Sequence, residues 1–177
     1  MPNAAGPHDH EKEAFQPAAM VLAFLLPGAG HYALGEVRRA FLICAGVLGL
    51  FFGGILLGGI DSVDRKDDFI WFMGQSLVGP VAFGIDYLHQ SQFKVVEPRT
   101  GVRRTAIPGE SRGYSGEPVQ GGSPPNTKSL GRVNELGTLF STVAGMMNLL
   151  CIIDAASYRP RKRNRPGGVI GRLEAGR

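Results

Sequence analysis

Four long stretches without a charged side chain constrain this 177-residue sequence more than any other feature. Ala40 to Ile60 is 21 residues long, Leu136 to Ile153 is 18, and Ala18 to Leu34 and Phe69 to Ile85 are 17 each. An α-helix needs about 20 mostly apolar residues to cross the hydrocarbon core of a bilayer, within a range of about 17–25. The second stretch meets this outright. The third and fourth meet it if Asp86 and Asp154 sit at the interface, and the first is at the lower limit. A soluble bundle would need polar helices to cover four apolar ones, and the chain offers none. The sequence therefore predicts an all-α membrane protein of about four transmembrane helices, an N-terminal hairpin plus two further helices, with a disordered Pro/Gly linker between the third and fourth. The expected units are a polar tail (1–16), three membrane segments (17–89), the flexible linker (90–134), a fourth membrane helix (135–157) and a basic tail (158–177).

Each stretch carries local signals. In the first, Pro27 cannot donate to the carbonyl of Ala23, and Gly28 and Gly30 follow, so a break is expected between Pro27 and Arg39. In the second, Gly46, Gly49 and Gly53 fall on one helical stripe and Gly54 and Gly58 on another. The spacings Gly49/Gly53 and Gly54/Gly58 let helix backbones approach closely in lipid. In the third, Gln75, Gly79, Ala82 and Asp86 share a small, polar face, and Pro80 predicts a kink. In the fourth, Gly137, Ser141, Ala144, Gly145 and Asn148 share the equivalent face. Residues 98–127 alternate proline and glycine without apolar periodicity, which predicts a mobile linker.

The net charge is +4, with its densest run at Arg159, Arg161, Lys162, Arg163 and Arg165. Beside a membrane helix such a run meets anionic lipid headgroups. No aromatic side chains are interleaved to stack on bases, which excludes nucleic acid as the expected partner. Cys44 and Cys151 lie inside apolar runs and act as small hydrophobes. His8-Asp9-His10 is a solvated pair of histidines rather than a metal site, and no zinc-ligand spacing occurs. Residues 1–17 have no basic region ahead of a short apolar core, so the first apolar run is expected to be retained. There is no Walker loop, Gly-x-Ser-x-Gly elbow or His-Glu-x-x-His. Asp86 and Asp154 would lie at opposite membrane surfaces, which argues against an acid/base pair. His31 is expected to bond an exposed backbone carbonyl. No catalytic residue, cofactor or metal ligand is assigned.

The run Pro27-Gly28-Ala29-Gly30-His31-Tyr32-Ala33-Leu34-Gly35, followed by Arg38-Arg39 and a long apolar stretch, resembles the two-transmembrane domain family over about 45 residues. One aromatic, Tyr32, stands where that family has a Phe-Tyr pair. The complete layout, including Val143 to Leu150 and Asp154-Ala155, is similar to a bacterial family of small membrane proteins of unknown function. The resemblance implies a multi-pass protein of the bacterial cytoplasmic membrane and carries over no catalytic residue.

Packing features outnumber chemical ones, so a non-enzymatic membrane scaffold or assembly protein is the leading expectation, with other membrane proteins or a second copy as partners. A small channel or transporter subunit using Gln75, Asp86, Ser141 and Asn148 is the alternative. Four spans would place residues 1–16, the Asp61–Asp68 loop and the basic tail on one side, and the Arg38-Arg39 turn and linker on the other. Lys and Arg then divide 10 to 9; the dense tail run favours the tail inside, whereas the Arg38-Arg39 turn and the acidic short loop favour the Arg38-Arg39 turn inside, which is the orientation expected. Gln75 and Asn148 would each lie 13 residues below one surface, counted from Leu88 and Glu135, which predicts a hydrogen bond between them.

Overall fold

The computed structural model describes residues 15–122 and 132–158, which are mostly helical. Among the described residues two helices are long and apolar enough to cross a membrane: α3 (Val37–Gly58) and α6 (Arg132–Ala156). At about 1.5 Å per residue they extend about 33 and 37 Å. They run antiparallel, with Arg39 beside Asp154 at one end and Gly58 beside Asn134 at the other. Their contact is backbone against backbone. A Cβ on Gly137 would overlap the Cα of Gly58, and one on Gly54 would lie 2.6 Å from the Gly137 carbonyl oxygen. Glycines at a helix crossing permit this closeness, which increases dispersion contact where no water is displaced.

The first and third apolar stretches do not form full-length helices. Helix α1 (Pro17–Leu25) is about 13 Å long and stops where Pro27 removes the next backbone donor. The chain turns through Gly28, at φ 87°, and returns as α2 (Ala29–Ala33) to the end it left. From the other end, α4 (Phe69–Gln75) enters and tightens into a 3₁₀ turn over Ser76–Val78. It reverses at Gly79, at φ 100°, and returns as α5 (Pro80–Leu88), with Phe72 edge-on against Phe83. Two half-depth hairpins thus enter from opposite ends. The core lies between α3, α4, α5 and α6 (Val47, Phe51, Phe72, Val78, Ala82, Ala144), and a second cluster (Ala19, Ala23, Ile152, Ala155) joins α1 to α6.

Two expectations are corrected here. Among the described residues two helices, not four, have the length and composition to span: the chain reverses at Pro27–Gly28, where a break was expected, and at Gly79–Pro80, where a kink was. The stretch expected to be mobile contains two antiparallel β-hairpins, β1 (Val95–Val96) with β2 (Arg103–Arg104), and β3 (Glu110–Arg112) with β4 (Pro118–Gln120). Glycines at Gly101, Gly109, Gly116 and Gly121 adopt positive φ and make turns of what composition alone reads as disorder. Arg104 ties the hairpins together by donating to Glu97 at 3.0 Å and to Glu110 at 2.7 and 3.0 Å. Hydrogen bonding to Glu110 and Glu97 raises the Arg104 guanidinium, and the same contact holds Glu110 below the ordinary carboxylate range. The hairpins lie at the end where α3 finishes and α6 begins, called the β end below. The other is the terminal end, where the Gln16 amide donates to the Ala156 carbonyl at 2.8 Å.

Candidate functional site

The two hairpin tips meet midway along α6. A Cβ on Gly79 would overlap the carbonyl oxygen of Phe24, so the α4–α5 tip lies directly on the end of α1. A chain reversal leaves carbonyls without helical partners, which is costly away from water. Asn148 answers one from each tip. Its fully buried Nδ2 donates to the Leu77 carbonyl at 2.9 Å and to the Ala23 carbonyl at 3.3 Å, the latter being the oxygen that Pro27 deprives of a donor. Gln75, equally buried, donates to the Ser62 carbonyl at 2.8 Å and to Ser141 Oγ at 3.1 Å. Asn134 donates to the Gly58 carbonyl at 2.9 Å. The expected Gln75–Asn148 bond is absent among the described hydrogen bonds. The depth count assumed an unbroken third helix, and the reversal at Ser76–Gly79 gives each amide a nearer backbone partner.

The β end holds a buried ionic cluster. Asp61, Asp64, Asp86, His89, Gln90 and Lys94 are all at most 7 % exposed. Asp64 Oδ1 accepts from the amides of Lys66 (2.8 Å) and Asp67 (3.3 Å) and from Gln90 Nε2 (2.8 Å). The Lys94 ammonium contacts Asp64 Oδ2 and donates to Asp67 at 2.7 Å. His89 lies between two carboxylates, Nε2 3.7 Å from Asp61 and Nδ1 3.7 Å from Asp64. These are too long for hydrogen bonds, and Nδ1 has no other hydrogen-bond partner. Burial pushes the Asp64 carboxyl up, but Lys94 and the two amides outweigh it and hold it below its ordinary value. Burial pushes Lys94 down, but Asp64 and Asp67 outweigh that and raise it. For His89 burial outweighs the nearby carboxylates and holds the ring below its ordinary value.

The β-hairpins fix this cluster. His89–Phe93 forms a single π-helical turn, a geometry common at functional sites. Arg112 donates to the carbonyls of Ser91 (2.6 Å) and Lys94 (3.1 Å), and Arg103 to that of Gln90 (3.3 Å). Asp86 accepts from the Arg65 amide at 2.9 Å, with the Arg65 guanidinium 3.5 Å away.

At the terminal end, His31 bonds the Asp154 carboxylate at 2.7 Å rather than a backbone carbonyl. Arg39 reaches the same carboxylate at 2.7 Å, and the Tyr158 hydroxyl donates to Glu36 at 2.7 Å, which raises the phenol. Of the Pro27–Gly35 motif, Pro27, Gly28, Gly30 and His31 are buried and Tyr32 and Gly35 exposed. Gly28 is pressed against the Ala40 backbone and Gly145 against Gly74. Cβ atoms added at Gly46, Gly49 or Gly53 would meet nothing within 4 Å. Arg159, Arg161, Lys162, Arg163 and Arg165 lie outside the described residues, as do residues 1–14 with His8 and His10. Sequence reasoning missed Asp61, Asp64, His89 and Lys94 as a group. The available signal was an Asp-x-x-Asp pair closing α3 with His89 and Lys94 closing α5, the two ends of one helical hairpin.

The family described as a family of unknown function (DUF6677) matches residues 18–165. The chain belongs to this family. The DUF6677 match takes in both long helices, both half-depth hairpins and the β-hairpin layer. Comparison with curated proteins and with solved structures gives no match.

Proposed function

We propose that this DUF6677 protein is a non-enzymatic scaffold of a cytoplasmic membrane, in which α3 presents a glycine seam to a transmembrane helix of a second copy or of another membrane protein. One observation carries the reading. The two glycine stripes of α3 differ in use: Gly54 and Gly58 are taken by α6, whereas Gly46, Gly49 and Gly53 point into open space. Leu42, Gly46, Gly49, Gly53 and Leu56 repeat at steps of 4, 3, 4 and 3, the spacing of a left-handed helix–helix seam, and Leu42 and Leu56 are 69 % and 85 % exposed. Small residues between leucines let a second backbone approach as closely as α6 does on the other stripe.

The channel alternative drew on Gln75, Asp86, Ser141 and Asn148, and all four side chains are engaged in the hydrogen bonds given above. The proposed orientation follows from charge. Lys and Arg divide 10 to 9 between the terminal end and the segment joining α3 to α6, so the orientation rests on density: Arg38 and Arg39 share the terminal end with Tyr158, from which the Arg159–Arg165 run departs, and we take this end as cytoplasmic. A cytoplasm-dependent reporter fused after Arg177 is then active. In mild detergent the wild type is expected to migrate as a complex larger than one chain. Gly49→Leu with Gly53→Leu should reduce it to a monomer of unchanged thermal stability. A monomeric wild type, or an assembly indifferent to both substitutions, would refute the scaffold reading.

A further inference from the structure

The geometry points to Asp61, Asp64 and His89 as a binding site for one divalent transition-metal ion of the zinc or manganese class. A ring nitrogen of His89 and one carboxylate oxygen from each aspartate lie within 4.8 Å of one another, all three residues buried. Ligand bonds of about 2.1 Å place neighbouring donors roughly 3–4 Å apart. Nδ1 already lies 3.7 Å from Asp64, whereas the 3.7 Å approach to Asp61 is made by Nε2, so an ion held by Nδ1 draws the Asp61 carboxylate toward it from within the 4.8 Å cluster. A second observation points the same way. His89 is 1 % exposed and its Nδ1 has no hydrogen-bond partner, although it faces Asp64. A buried imidazole nitrogen left without a partner is unfavourable unless a ligand takes it.

The donor set is one imidazole and two carboxylates, which suits a borderline or hard divalent ion and not copper(I) or a cluster, which need thiolates. The ammonium of Lys94 stands beside Asp64 where the ion's charge would fall. Its second partner, Asp67, is 64 % exposed, so on metal binding Lys94 can leave Asp64 and remain paired toward solvent. Lys94 and the metal therefore compete for Asp64. The π-turn that presents His89 is held by Arg103 and Arg112, which places the donors before any ion arrives.

The competition gives a test that a merely structural ion-pair cluster would fail. The full-length chain carrying His8→Ala and His10→Ala, so that these histidines do not contribute, is titrated with Zn²⁺ in detergent by calorimetry and dialysis. One equivalent per chain is expected. His89→Gln or Asp64→Asn should weaken binding by at least about 100-fold, beyond what loss of an outer-shell partner does. Lys94→Met should tighten it about tenfold or more, and zinc should restore any thermal stability that Lys94→Met loses. If His89→Gln does not fold, the ¹⁵N shift of His89 Nδ1 on zinc addition to Lys94→Met carries the test, because a cation drawn only by the uncompensated carboxylates leaves the ring nitrogen unligated and its shift unchanged. No stoichiometric uptake, unchanged uptake in a folded His89→Gln, or no tightening in Lys94→Met overturns the site.

Discussion

Replacing Asn148 by leucine tests the central feature of the fold, the joining of two opposed hairpin tips by one amide. The substitution keeps the side chain's approximate size and removes both donated bonds, to Ala23 and to Leu77. Each carbonyl is then left in an apolar interior, at about 1–3 kcal/mol apiece. Two terms reduce the loss. Oδ1 of Asn148 has no partner, so the leucine also removes one unpaired buried oxygen. Polar contacts in lipid average about 0.6 kcal/mol in double-mutant cycles, because the unfolded chain in the bilayer finds partners too. The lower bound is therefore about 1.2 kcal/mol for the pair and the expected loss about 2–4 kcal/mol, measured by reversible denaturant unfolding in micelles. Asn148→Asp adds a sign. An ionised carboxylate cannot donate to carbonyl oxygens, whereas the protonated acid can, so this variant should regain stability as pH falls. A loss below about 0.5 kcal/mol in Asn148→Leu, with no pH response in Asn148→Asp, would show that the tips hold together without the amide.

Gly79→Ala is expected to lose at least about 2 kcal/mol in the same assay, since φ 100° with ψ −156° suits glycine alone and the new Cβ would strike the Phe24 carbonyl. Burial holds His89 below its ordinary 6.5, so its contribution is complete at neutral pH and is lost as pH falls through 6.5 toward the folded value. The melting temperature should drop between pH 7 and 5, and His89→Gln should flatten that slope. Arg112→Ala removes two donors from the π-turn and should raise hydrogen exchange at His89–Phe93 by about tenfold, the equivalent of ~1.4 kcal/mol.

Some of this structure could be read from residue order, and the reason is local in each case. The face that α6 buries follows from Gly137, Ser141, Ala144, Gly145 and Asn148 recurring at helical spacing, because a helix of that length has one way to place them. Pro27 marked the free carbonyl of Ala23 correctly, since the missing donor is a property of proline itself. What took its place was not legible, because Asn148 is 125 residues away and reaches Ala23 only through the tertiary fold. Whether a Pro/Gly break kinks a helix or reverses it also depends on distant contacts. At Gly79 the reversal is held by Phe24 and Asn148, neither of them near in sequence. The linker failed for a different reason. Its glycines serve hairpin turns, and the ordering of those hairpins is offset by Arg103, Arg104 and Arg112, whose bonds reach carboxylates and carbonyls that composition does not pair.

Polar side chains within the apolar stretches and at their ends divide into two kinds. Asn148, Gln75 and Asn134 each donate to a carbonyl exposed by a helix end, and Ser141 and Thr138 bond carbonyls of their own helix. These residues answer the backbone: a fold with two reversals in an apolar interior requires about that many donors, whatever the protein does. His89 and Lys94 do not fit that account. Neither side chain donates to a backbone carbonyl among the hydrogen bonds described, and both are turned toward carboxylates. The terminal end also carries an ionic group, His31 and Arg39 on Asp154, but there the carboxylate is half-exposed, whereas at the β end an imidazole, an ammonium and three carboxylates are buried together. The β-end cluster is thus the group of polar side chains that closing helix ends does not account for, and it lies under a layer whose arginines hold the backbone carbonyls of Gln90, Ser91 and Lys94.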